Sequence, residues 1–129
     1  MPKSVKNCTY IVLGLLFFVT VSSAQVVLTA DNVDAGKQVY QTRCSPCHGP
    51  DGKADTPTAK ALTPKPRDHT DGAYMNQLTT EQLVKVIKSG GPAVGKAPTM
   101  PPHPDLNDQQ IQDVVAFVRT LANPPYKGN

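Results

Sequence analysis

The chain has 129 residues, with thirteen basic against ten acidic side chains, a formal net charge of +3, 39% apolar residues and no Trp. This length suits one domain, and the near balance of charge gives no support to nucleic-acid binding. Interiors are close-packed, so a modest apolar content without Trp implies that something besides side chains fills the middle, as a buried cofactor would.

Lys3 and Lys6 precede an apolar run from Tyr10 to Val21, which is followed by Ser22, Ser23 and Ala24. This reads as a secretory signal peptide over residues 1–24, cut before Gln25. The run is shorter than the roughly 20 residues a spanning helix needs. The expectation is export to the periplasm with no membrane insertion after cleavage, and tethering is the alternative if the segment is retained. Cys8 lies ahead of the apolar run and is not read as a lipid attachment point. Losing Lys3 and Lys6 leaves residues 25–129 near +1, as one domain whose core runs from about 31 to 122.

From Asp31 to Arg43 good helix formers carry Val33, Gly36, Val39 and Tyr40 at helical spacing, which predicts a first helix. Between Gly49 and Tyr74, Pro50, Pro57, Pro64 and Pro66 with Gly52 and Gly72 forbid any long regular element. Such a stretch is unusual in a compact domain unless a ligand organises it. A second helix is announced by Thr79 as cap, Gln82 three residues on and a Leu78/Leu83 staple, and it stops at Gly90 with a left-handed cap. The Pro-rich strap from Gly91 to Asp105 leads to a last helix with the same opening: Asn107 caps, Gln110 completes the box, and Leu106 faces Ile111. Ile111, Val114, Val115, Val118, Leu121 and Ala122 form its inner stripe, and Pro124 and Pro125 close it. No segment alternates like a strand, so the fold class is all-α with long loops.

Cys44-Ser45-Pro46-Cys47-His48 is a C-x-x-C-H, the pattern of c-type haem attachment. Two thiols at this offset can add to the two vinyl groups of one porphyrin, and His48 then lies beside the ring as an iron ligand. A thioredoxin-like dithiol would sit at a helix start among βαβ units, whereas this motif ends a helix. A zinc site could draw on Cys44, Cys47, His48, His69 and His103, but their spacing fits no usual zinc module. A plain disulfide would suit an exported chain but leaves His48 and the ligand-hungry loops unexplained.

Five stretches of the chain together resemble the monohaem class I cytochrome c family: Gly36 with Tyr40, CSPCHG from Cys44, GGPAVGK from Gly90, TMPP from Thr99 and DVVAFVRTLA from Asp113. The last three are similar to small bacterial members in particular. The resemblance implies a small cytochrome c fold of three to four helices around one covalently bound haem c. In it the first and last helices cross at Gly36, and Tyr40 packs near Phe117. It also implies Met100 as the sixth ligand, opposite His48. A thioether is a soft, neutral ligand that favours ferrous iron, and Met75 and His103 are the competitors. A ligating histidine usually donates its other ring nitrogen to a carbonyl, and the resemblance makes Pro57 the donor of that carbonyl. Arg67 stands where relatives often hold a haem propionate, with a solvated loop arginine as the alternative. Lys53, Lys85, Lys88 and Lys96 are candidates to rim the haem edge, or simply form a solvated face.

The function implied is that of a monomeric single-electron carrier, not an enzyme, with both axial positions filled. Its partners would be redox proteins, periplasmic or membrane electron-transfer complexes, met through a small transient interface. The alternatives keep the haem: an electron-input subunit of a larger oxidase, reductase or dehydrogenase, or a haem enzyme or sensor with an open sixth site.

Overall fold

The computed structural model describes residues 30–128; the expected signal peptide and the cut before Gln25 lie outside the described residues. Helix α1 (Ala30–Arg43) ends where the attachment motif begins. The bond from Cys44 N to Tyr40 O continues its ladder. Pro46 then has no N–H to offer, and its ring would strike the carbonyl four residues back, so the chain breaks at Cys44 and restarts as the single turn α2 (Ser45–His48).

The Pro- and Gly-rich stretch holds only two further single turns. These are α3 (Pro57–Ala61) and α4 (Gly72–Met75), with Thr56 and Asp71 accepting from Ala59 N and Tyr74 N. Helices α5 (Thr80–Ser89) and α6 (Asp108–Leu121) both start at complete capping boxes, Thr79 with Gln82 and Asn107 with Gln110. Among the described residues there is no strand, only an isolated bridge between Asp71 and Asn123 that stitches the tail after α6 to the loop before α4. Among the described residues the architecture is all-α, with three longer helices, three short α-helical turns and a 3-10 turn at Pro92–Val94.

Helix α1 crosses α6 at Gly36, where a Cβ would lie 1.9 Å from the Asp113 carbonyl oxygen. Tyr40, fully buried, meets Phe117 with ring centroids 5.0 Å apart. Helix α6 is the central element: Ile111, Val114, Val115, Phe117 and Val118 are buried, joined by Leu83 and Ile87 of α5 and by Leu106 and Met75. Each such side chain contributes about 1.5–3 kcal/mol on burial.

Two charged residues of α6 are buried as well, and both are hydrogen-bonded, as burial demands. Asp113 accepts from Asn32 Nδ2 at 2.9 Å and Gln109 Nε2 at 2.7 Å. Arg119 donates from Nη1 to the Met75 carbonyl at 2.8 Å and from Nη2 to that of Leu78, which fixes the α4–α5 connection over the end of α6.

One helix end differs from expectation. Gly90 does take a positive φ of 79°, but its ψ of 168° is extended, so no left-handed cap forms. The returning strap lies against this turn, where a Cβ on Gly90 would stand 2.9 Å from Pro102 N.

Candidate cofactor site

Between α2, the loop after it, α5 and the strap lies a cavity of about 530 Å3, lined by Cys44, Cys47, His48, Arg67, His69, Met75, Met100 and His103 together with apolar residues of α5 and α6. The structure therefore brings together Cys44, Cys47 and His48 of the motif and all three candidates for the sixth position, Met100, Met75 and His103. Cys44 and Cys47 are both half-buried at the cavity and are not bridged to each other. Burial pushes the Cys44 thiol up to about 11, and Cys47 beside it adds to the shift.

His48 is held by its Nδ1, which donates to the carbonyl of Arg67 at 2.9 Å. A carbonyl can only accept, so this bond assigns the proton to Nδ1 and leaves Nε2 with a lone pair. Burial lowers the pKa of His48, with the Arg67 hydrogen bond opposing. The acceptor is not Pro57, as expected from the resemblance. Pro57 opens α3 and is exposed, because Thr56 turns the chain there by donating to Pro46 O at 3.2 Å and capping α3. The outgoing limb meets only the backbone of His48, through Ala54 N to His48 O at 2.8 Å, and the returning limb brings the Arg67 carbonyl to its ring. The Arg67 side chain stands half-exposed at the cavity, its guanidinium 3.8 Å from the centroid of the Tyr74 ring and 3.9 Å from the Asp71 carboxylate.

His69, which the sequence offers only as part of a zinc set of unusual spacing, lines the cavity beside His48, the two rings nearly parallel with centroids 4.1 Å apart. Its Nδ1 shares a hydrogen bond with the Tyr40 hydroxyl at 3.2 Å. Burial, then the neighbouring His48 and Arg67, hold its pKa down at about 3. Nothing local marks it; the only signal is a histidine on the return limb of a loop that must pass the motif.

On the opposite side the strap is tied to the end of α5. Gly91 N donates to Met100 O at 3.0 Å, Lys96 N to Gly91 O at 2.8 Å, and His103 N to Ile87 O at 3.1 Å. Met100 is half-buried and packs against the core cluster, whereas Met75 is a buried member of that cluster. Around the cavity stand Lys65, Arg67, Lys85 and Lys96, with Arg43 paired to Asp105, and among the described residues no acidic side chain lines it. Of the four lysines expected at the rim, only Lys85 and Lys96 are there; Lys53 is paired with Asp51 at 3.1 Å and Lys88 with Asp108 at 2.7 Å.

This set of groups suits a haem. The cavity is largely apolar, two thiols and an imidazole with a committed Nδ1 stand along one wall, and cationic groups suited to carboxylates stand around it. Among the described residues no cluster of three His, Cys, Asp or Glu side chains is placed to hold a metal ion by itself.

A family model described as Cytochrome c matches residues 33–122. The gluconate 2-dehydrogenase cytochrome c subunit of Pantoea cypripedii is 34% identical over 102 residues, 74% of this chain but 22% of that protein. Photosystem II extrinsic protein V of Synechococcus sp. (strain CC9902) is 27% identical over 82% of this chain and 66% of its own length. Among solved structures, a chain of the reducing HAO-like protein complex of Kuenenia stuttgartiensis matches with a TM-score of 0.61 and 32% identity, over 70% of this chain and 42% of that one. The KustC0563 c-type cytochrome shares the fold, with a TM-score of 0.56 at 24% identity, over 67% of this chain and 96% of that one. The chain thus spans about a fifth of the dehydrogenase subunit and under half of the HAO-like chain.

Proposed function

Since the chain belongs to the cytochrome c family, whose members bind haem c covalently, we propose that it is a single-electron carrier whose iron is held between His48 and Met100. Cys44 and Cys47 are the thiols for the two thioether links. Bound there, the haem supplies a one-electron couple at iron. The protein's own groups set the conditions for it. The Arg67 carbonyl keeps the Nδ1 proton of His48 and so presents Nε2 as the donor. The backbone ties at Gly91 and Ile87 hold the Met100 strap in place, which limits rearrangement between oxidation states. Apolar residues of α5 and α6 exclude water. Arg67 is suited to a propionate.

One observation carries this reading: a histidine whose Nδ1 is committed and a methionine on a pinned strap line the same cavity. The test is the ferric near-infrared band of sulfur-to-iron charge transfer. Met100→Ala should abolish it and admit small ligands to the iron, and Met100→His should keep the iron low-spin at a lower potential. A variant lacking Met100 that keeps both band and potential would transfer the role to Met75.

Export to the periplasm belongs to the same proposal, supported by the composition of residues 1–24; an intact mass of the native product starting at Gln25 is the expected result. The cationic surroundings of the cavity favour a redox partner with an acidic face around its own electron port. A second reading is an electron-input subunit of a larger enzyme, favoured because relatives are named as parts of a gluconate 2-dehydrogenase and of an HAO-like complex. Co-purification at low salt separates the two: a free carrier elutes alone, as a monomer, and a subunit elutes with its enzyme.

A further inference from the structure

We propose that His69 is a positioning residue for the iron ligand, setting the orientation of the His48 ring plane by face-to-face stacking. The proposal rests on the reading of His48 as that ligand. The outward directions of Nε2 and Nδ1 in an imidazole are not collinear, so the hydrogen bond to Arg67 O limits how far the ring can turn about the iron–Nε2 direction. A single hydrogen bond tolerates bending, however, and leaves the ring a residual swing. A flat partner against the ring face removes this freedom, and His69 is one, at 4.1 Å between centroids and 17° between planes.

His69 is itself held from two directions. Its backbone N–H donates to Gly52 O at 2.8 Å, which fixes where the loop returns. Its Nδ1 meets the hydroxyl of Tyr40 at 3.2 Å, and the two rings are edge to face at 5.8 Å. Tyr40 is fully buried against Phe117. A continuous set of contacts thus runs from the crossing of α1 and α6 through Tyr40 and His69 to His48. The orientation of an axial imidazole relative to the porphyrin nitrogens determines how the iron d orbitals split. A residue that sets it is thus visible in the ferric spectrum, whereas one that only fills space is not.

The experiment uses the purified holoprotein and compares His69→Phe, which keeps a flat ring against His48, with His69→Leu, which fills the volume without one. The readouts are the ferric electron paramagnetic resonance g values and the spread of the haem-methyl proton resonances. His69→Phe is expected to keep both close to the native pattern, and His69→Leu to shift the low-field g value and redistribute the methyl resonances while the sulfur-to-iron band remains. If both variants match the native protein, or both depart from it equally, the stacking role is overturned. Tyr40→Phe gives an independent arm should the His69 variants fail to load haem. It leaves His69 free to rotate and is expected to broaden the low-field g feature, and an unbroadened signal there counts against the proposal. Failure of the parent reading shows elsewhere, as a native protein without a low-spin histidine-ligated spectrum.

Discussion

The two walls of the cavity are built differently. The wall that carries the attachment motif is part of the fold: α1 runs into it, His48 is bonded to Arg67 and stacked on His69, and the chain around it is tied by bonds such as Ala54 N to His48 O at 2.8 Å. The wall that carries Met100 is a strap in which every residue from 92 to 105 is exposed or half-buried, held by a few backbone hydrogen bonds to the end of α5. Side-chain contacts of long sequence separation, from His48 to Arg67 and His69 and on to the buried Tyr40, tie the first wall to the core, and their scarcity makes the second the natural place for local opening.

The largest expected effect sets the two proposed axial positions against each other. His48→Ala should strip the low-spin spectrum and cut holoprotein yield severely, whereas Met100→Ala should leave the haem covalently attached and change only ligation, as a haem stain on denaturing gels and the near-infrared band would show. Equal loss of haem from both variants would erase the distinction between the walls.

Two glycine substitutions sharpen the same contrast. Gly36→Ala drives a Cβ to 1.9 Å from the Asp113 carbonyl oxygen, with backbone on both sides of the contact. Forcing α1 and α6 apart should cost about 3 kcal/mol or more, read as a lowered denaturant midpoint. Gly91→Ala places a Cβ 2.0 Å from the Ala97 carbonyl oxygen, within the strap. Its expected signature is a weakened sulfur-to-iron band with a much smaller change in the midpoint.

The smallest effect concerns the exposed tie between the ends of α5 and α6. Lys88 donates to Asp108 at 2.7 Å and holds that carboxyl below the usual carboxylate range. A depressed folded-state pKa contributes stability above the unfolded value and loses it as pH falls through the folded one. The wild type should therefore be slightly more stable than Asp108→Asn at neutral pH, and the two thermal midpoints should converge in acid. The gap is small because both side chains are largely in water. A gap that widens as pH falls would reverse the assigned sign.

The capping boxes at Thr79 and Asn107 were legible in the residues alone, because a side chain closing on a backbone N–H three residues away depends on nothing beyond its own turn. The break at Pro46 and the absence of any long element between α2 and α4 follow as directly from proline chemistry. The C-x-x-C-H spacing likewise announced the attachment wall, and the resemblance in Gly36, Tyr40 and Phe117 anticipated the helix crossing that the structure contains. What only the tertiary structure decided was where a loop of some twenty residues returns. Residue types constrain that path without selecting it, since it depends on the Thr56 turn, the Gly52–His69 bond and the buried Tyr40 acting together. That path gave the His48 hydrogen bond to Arg67 instead of Pro57, brought His69 against the ring, and left Lys53 paired with Asp51 away from the cavity. Contacts within one turn are settled by neighbours in the chain, whereas contacts across a loop are settled by everything the loop packs against.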